Sequence, residues 1–168
     1  LGLGGGAGSS SRAPDTVAVH GGADDNASGI GMMLELAEKF AAVKGSHKRS
    51  IVCIAFSGEE MGLLGSKYYV EHPEIDLLKV NAMINLDMVG RMKETNLLQI
   101  SGIGTAEELR NLVTSLNDTS LISLSLSDEG YGPSDHSSFY GKNIPVLFFS
   151  TGAHLDYHTP QDTYDKIN

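Results

Sequence analysis

At 168 residues the chain is long enough for one domain with a core of its own, and its 40% hydrophobic and 20% charged residues are those of an ordinary globular protein. A net charge of −9 argues against nucleic acid as partner, since that role wants a basic patch. No apolar run approaches membrane-spanning length, and the one cysteine, Cys53, excludes both a disulfide framework and a thiolate zinc site.

Residues 1–14 are rich in Gly and Ser and read as a flexible loop. The stretch Gly2-x-Gly4-x-x-Ala7 imitates a dinucleotide fingerprint, but no strand precedes it and no helical pattern follows. Thr16–His20 is a short extended segment. From Ile30, the residues Met33, Leu34, Ala37, Phe40 and Ala41 share one helical face, with Glu35 and Lys39 paired outside and Lys44-Gly45 as the stop. Asp25 therefore lies in a tight loop at a helix N-terminus. Ser50–Phe56, apolar throughout from Ile51, predicts a strand buried on both faces, with Cys53 as a core residue. Glu59 and Glu60 follow it directly, at the carboxyl end where open α/β sheets place their ligands.

Met61–Glu71 predicts a helix ended by Pro73, and Val80–Leu86 a strand with Asp87 at its end. Leu97–Ile100 is a shorter strand. Thr105-x-x-Glu108 reads as a capping box before a helix striped by Leu109, Leu112, Val113 and Leu116. Leu121–Leu126 reads as an edge strand, Ser134–Tyr140 as a short helix, and Pro145–Phe149 as a last buried strand. The polar tail from Thr151 carries His154 and His158. Such alternation means an α/β domain with a mostly parallel sheet, and the carboxyl ends of parallel strands share one edge. Asp25, Glu59, Glu60 and Asp87 can converge there.

Hard oxygen ligands with a histidine, and no cysteine, suit Zn²⁺ or a similar divalent ion. Two metals about 3.5–4 Å apart need a bridging carboxylate and separate outer ligands. A further carboxylate beside the attacking water can act as general base. Each acid also has a plainer reading: Asp25 as a helix cap, Asp87 as a turn residue, Glu59 and Glu60 as helix-start residues favoured by the dipole. Two other patterns are set aside. Asp24-x-Asn26-x-Ser28-Gly29 with Glu35 fits a calcium-loop template, but no helix precedes it and Gly31 stands at the usually apolar position. Ser134-Asp135-His136 are consecutive and cannot form a nucleophilic relay, and no Gly-x-Ser-x-Gly elbow exists.

Five blocks in order resemble the M28 family of zinc aminopeptidases. They are Gly22-Ala23-Asp24-Asp25-Asn26-Ala27-Ser28-Gly29, Phe56-Ser57-Gly58-Glu59-Glu60-Met61-Gly62-Leu63-Leu64-Gly65-Ser66, Asn85-Leu86-Asp87-Met88-Val89-Gly90, Ser134-Asp135-His136-x-x-Phe139, and Asp156-Tyr157-His158-Thr159-Pro160-x-Asp162-Thr163. The resemblance implies a three-layer α/β fold, a mostly parallel mixed sheet flanked by helices as in the zinc exopeptidases. It implies removal of N-terminal residues from peptides with a free N-terminus, using two zinc ions. By resemblance, Asp25 bridges the zincs, Glu60, Asp87 and His158 are further ligands, and Glu59 is the general base. Tyr131, three residues ahead of the Ser134 block, is expected to stabilise the tetrahedral intermediate. Met88, Phe148 and Tyr157 are expected to line the side-chain pocket, and His136 and His154 to play supporting roles. The resemblance also implies a secreted or periplasmic protein.

One family ligand is not found: a His in a His-x-Asp segment, expected before the Gly-rich loop. Neither His20 nor His47 has that context. The 168 residues are therefore expected to be a part of a longer catalytic domain, incomplete at both ends. Two alternatives on the same fold are a single-zinc acyltransferase resembling glutaminyl cyclases and a binding module without catalysis.

Overall fold

The computed structural model describes residues 2–5, 9–43, 45 and 47–168. Ala7 of the glycine-rich segment and Lys44 of the expected helix stop lie outside the described residues. Strand β1, Gly2–Gly4, pairs antiparallel with β2, Ala18–His20, Gly2 standing opposite His20. This corrects the reading of residues 1–14 as loop throughout. Glycine backbone carries the same donors and acceptors as any other, and the extended Ala18–His20 segment gives them partners.

Helix α1 is Gly29–Ala42 and α2 is Leu64–Glu71. Strand β3, Met83–Leu86, and β4, Leu97–Ser101, are followed by α3, Leu109–Leu116. Then come β5, Ser123–Ser127, α4, His136–Tyr140, and β6, Val146–Ser150. The main sheet has the order β3-β6-β4-β5. β3 runs parallel to β6 and β4 parallel to β5, while β4 and β6 are antiparallel, so the sheet is mixed.

Alternation along β6 sets the layers. Val146 packs with Phe139, Ile144 and Val70, on the side of α2 and α4. The next residue, Leu147, points to the opposite face and packs with Ile100, Ile103 and Leu109 of the α3 side. Helices therefore cover both faces, and the three-layer expectation holds.

Two local expectations fail for physical reasons. Residues 51–56 form no regular element and join no sheet among the described residues. Ile51 and Val52 are 47% and 54% exposed, and Cys53 is exposed rather than in the core. Apolar composition favours a strand, but a strand is completed by neighbours, and none of the described strands reaches it. A cleft of about 840 Å³, lined by Met33, Phe40, Ile54, Val80 and Ile84 among others, lies between this segment and β3. The capping box is also not formed. The hydroxyl of Thr105 is turned to Gly102 and Val146, accepting the Val146 N–H at 2.9 Å, and Glu108 makes no side-chain cap bond. A fully buried Val146 N–H has a stronger claim on the hydroxyl than a solvated helix end.

Candidate metal centre

Asp25 is positioned by a loop that Gly22 opens with φ +59°, a left-handed conformation that a side chain resists. Asn26 then ties the loop to the end of β3. Its Nδ2 donates to the Leu86 carbonyl at 2.9 Å, and its Oδ1 accepts the N–H of Gly29 at 3.0 Å and of Met88 at 3.3 Å. A Cβ on Gly29 would run into the same Leu86 carbonyl, so the helix start can approach the strand only as glycine. Ser28 adds a second tie, donating to Asp24 O at 2.8 Å and accepting from Val89 N at 3.1 Å. The loop of Asp25 and the strand end of Asp87 are thus held side by side.

Glu59 and Glu60 sit on a 3-10 turn, Glu59–Met61. Gly58, at φ +67°, leads the chain from the apolar 51–56 segment into that turn. The expected helix from Met61 begins only at Leu64, because two further left-handed residues, Gly62 and Leu63, intervene. His158 comes from the tail, which folds as tight turns closed by Tyr157 N–H to His154 O and Thr159 N–H to Asp156 O.

These segments bring Asp25, Glu60 and His158 together, with one ligand atom from each lying within 4.8 Å of the others. His158 Nε2 is 3.0 Å from Asp25 Oδ2 and 2.7 Å from Glu60 Oε1. On its other side the ring meets the Ser10 carbonyl through Nδ1 at 3.1 Å. A carbonyl only accepts, so Nδ1 donates, and in the neutral ring the Nε2 lone pair faces two carboxylate oxygens. That buried atom has no hydrogen-bond partner. A cation between the three atoms resolves the conflict, and one imidazole nitrogen with two carboxylates is a donor set that zinc takes. The residues present fit the ion.

The electrostatics agree. Burial first, then Glu60 and Asp87, push Asp25 up to about 7, against a lowering by His158. Burial, followed by Glu60, Asp87, Asp135 and Asp25, likewise pushes Glu59 up to about 7. Asp87 is raised by burial, while the hydroxyl of Ser134, 2.6 Å from its Oδ2, pulls the other way. Carboxylates crowded in this way call for a positive charge.

Asp87 lies beside the group, close enough to raise Asp25 and Glu59, without belonging to the set of three. Tyr131 is placed differently. It is 58% exposed, its ring edge-on to Tyr140 at 4.7 Å, and its contacts are with Tyr140 and Glu129 rather than with the gathered side chains. Tyr157, considered only as a pocket wall, stacks on His158 at 3.7 Å, and burial followed by Asp25, Glu60, Glu59 and Asp87 raises its hydroxyl to about 12. Met88 is buried behind the loop and Phe148 stacks on the fully buried His136 at 4.5 Å.

Two carboxylates escaped notice as individuals. Asp24 is fully buried, accepts the Gly90 N–H at 2.7 Å, and faces His154 Nε2 at 3.2 Å. Arg91 can only donate to His154 Nδ1, at 3.0 Å, so the ring proton of neutral His154 sits on Nε2, toward Asp24. Asp162 accepts backbone N–H groups of Asp24 and Asp25. Both residues lie in the recognised blocks, and that was the one signal available.

A mixed sheet with helices on both faces thus presents a histidine and several carboxylates from neighbouring loops, a group able to hold a metal ion. The profile of "Peptidase family M28" matches residues 14–168. The aminopeptidase YwaD of Bacillus subtilis is 35% identical over 166 residues, covering 92% of this chain and 35% of its own length. Among solved structures, the LapA aminopeptidase of Legionella pneumophila superposes with a TM-score of 0.76 at 29% identity, over 89% of this chain and 42% of that one. BSAP, a zinc aminopeptidase from Bacillus subtilis, superposes with a TM-score of 0.76 at 33% identity, over 91% of this chain and 39% of that one. The chain belongs to peptidase family M28. It spans about two-fifths or less of the length of each of these relatives.

Proposed function

We propose that the protein is a zinc-dependent aminopeptidase that hydrolyses the N-terminal peptide bond of peptides. Asp25, Glu60 and His158 would hold a zinc ion, and Asp87, with Asp25 as the shared carboxylate, would serve a second. Zinc bound there supplies Lewis-acid polarisation of the scissile carbonyl and a more acidic attacking water. Glu59 takes the proton of that water and returns it to the departing amine. Glu59 precedes the ligand Glu60 on the same turn, so its carboxyl stands beside the water it would serve. Tyr131 is retained as the hydroxyl that meets the developing oxyanion, a role in which its exposed side chain would turn from Tyr140 toward substrate.

The observation that carries this reading is the meeting of Asp25, Glu60 and His158 with Glu59 one residue away. The test is Glu59→Gln, assayed for release of free amino acid from a peptide with an open N-terminus. Turnover should fall by about 10²–10⁴-fold with zinc content unchanged. Undiminished turnover would remove Glu59 from the role of base, and pyroglutamate release in place of an amino acid would replace hydrolysis with cyclisation.

A further inference from the structure

Separate loops deliver Asp25 and His158, and Asp162 is where those loops are joined. Its side chain is buried, at 2% exposure. Oδ1 accepts the backbone N–H of Asp24 at 3.0 Å, while Oδ2 accepts that of Asp24 at 3.1 Å and that of Asp25 at 3.0 Å. Its own carbonyl accepts the Ala23 N–H at 3.3 Å, and a Cβ on Gly21 would stand 2.7 Å from that oxygen. In the other direction, Asp162 closes the turn that directly follows the one carrying His158, the two sharing Thr159. Its N–H donates to Thr159 O at 3.3 Å, and Thr159 N–H donates to Asp156 O at 3.0 Å. The side chain therefore grips the backbone of one ligand loop while its main chain belongs to the other.

We propose that Asp162 is a positioning residue for the metal centre: its carboxylate fixes the Asp25 backbone against the His158 turn, so that the two side chains stand at ligand spacing. The inference rests on the reading of Asp25, Glu60 and His158 as zinc ligands. Both oxygens face backbone N–H groups, Oδ2 accepting from Asp24 and Asp25 and Oδ1 sharing that of Asp24. An asparagine of the same shape keeps one acceptor and turns an NH₂ against a backbone N–H, donor against donor. Hydrogen bonds from neutral N–H groups to an ionised acceptor are among the stronger ones, and loss of such supporting partners typically costs 10–100-fold in metal affinity.

The experiment compares the unsubstituted chain with Asp162→Asn, and with Gln161→Ala, an exposed neighbour in the same turn, as control. Zinc affinity is read by competition with a chelating dye, ligand geometry by the absorption spectrum of bound cobalt(II), and fold by the melting midpoint of the metal-free protein. Asp162→Asn should weaken zinc binding about tenfold or more and alter the cobalt spectrum beyond any effect on melting, while Gln161→Ala changes neither. A lower melting midpoint with unchanged affinity and spectrum would make Asp162 a stabilising residue only and overturn the inference. Equal zinc binding by both chains would overturn it while leaving the metal reading standing. No zinc binding by the unsubstituted chain would overturn both. Should Asp162→Asn fail to fold, amide exchange in the unsubstituted chain decides. Asp24 and Asp25 amides that are protected, and more so with zinc, support the inference; exchange at free-peptide rates refutes it.

Discussion

Replacing Ser134 by alanine probes the polar joint behind Asp87. The Ser134 hydroxyl donates to Asp87 Oδ2 at 2.6 Å and accepts from Asn85 Nδ2 at 2.7 Å. Ser134 and Asn85 are 2% and 9% exposed, so water cannot replace either bond freely. A hydrogen bond to an ionised group is worth about 1.5–3 kcal/mol, and a buried amide left without its acceptor costs about 1–3 kcal/mol more. The two overlap, because Asn85 also approaches His136 Nδ1 at 3.5 Å, and a net loss of about 3 kcal/mol is expected. That is a large share of the roughly 5–15 kcal/mol by which domains are stable. The pH dependence has a definite sign. Ser134 lowers a carboxyl that burial raises, so alanine raises Asp87 further. The penalty is then full where Asp87 is ionised in both proteins, and shrinks as pH falls through its titration. Urea unfolding of the metal-free protein at about pH 8 and about pH 4 measures both features. A loss below about 0.5 kcal/mol, or one that grows toward acid, would refute the reasoning.

Two other substitutions test the fold around the site. His136 is fully buried, and burial pushes it down from 6.5 to about 4. It stays neutral in the folded chain while the unfolded chain charges, so its contribution is present above pH 6.5 and is lost as pH falls toward 4. That displacement is worth about 3 kcal/mol, and His136→Leu should flatten the acid slope of the urea midpoint by a comparable amount; parallel slopes would contradict it. Thr105→Val should cost about 1–3 kcal/mol, since it strands the Val146 N–H, without lowering helix content in circular dichroism. Loss of helical signal with little change elsewhere would restore the capping role.

Much of the site was legible because its carboxylates follow recognisable local patterns. Glu59 and Glu60 end an apolar run, Asp25 precedes a striped helix, and Asp87 closes a strand. What escaped depends on contacts distant in sequence. Asp162 meets Asp24 across 138 residues, and Ser134 meets Asp87 across 47, so neither pairing has a local signature. The Ser50–Phe56 segment shows the complementary limit: apolar residues register a preference for burial, but pairing is a property of the neighbour. Thr105 and Glu108 had the right spacing for a cap, and a buried N–H from β6 took the hydroxyl instead.

Zinc titration of the unsubstituted chain and of His158→Ala, followed by equilibrium dialysis and metal analysis, tests the central claim most directly. Asp25, Glu60 and His158 forming a metal site predicts that the chain retains zinc, that zinc raises its melting temperature, and that His158→Ala weakens retention by about 100-fold or more, since one of three ligands is gone. Zinc held equally by His158→Ala, or no zinc held by either chain, would contradict the account.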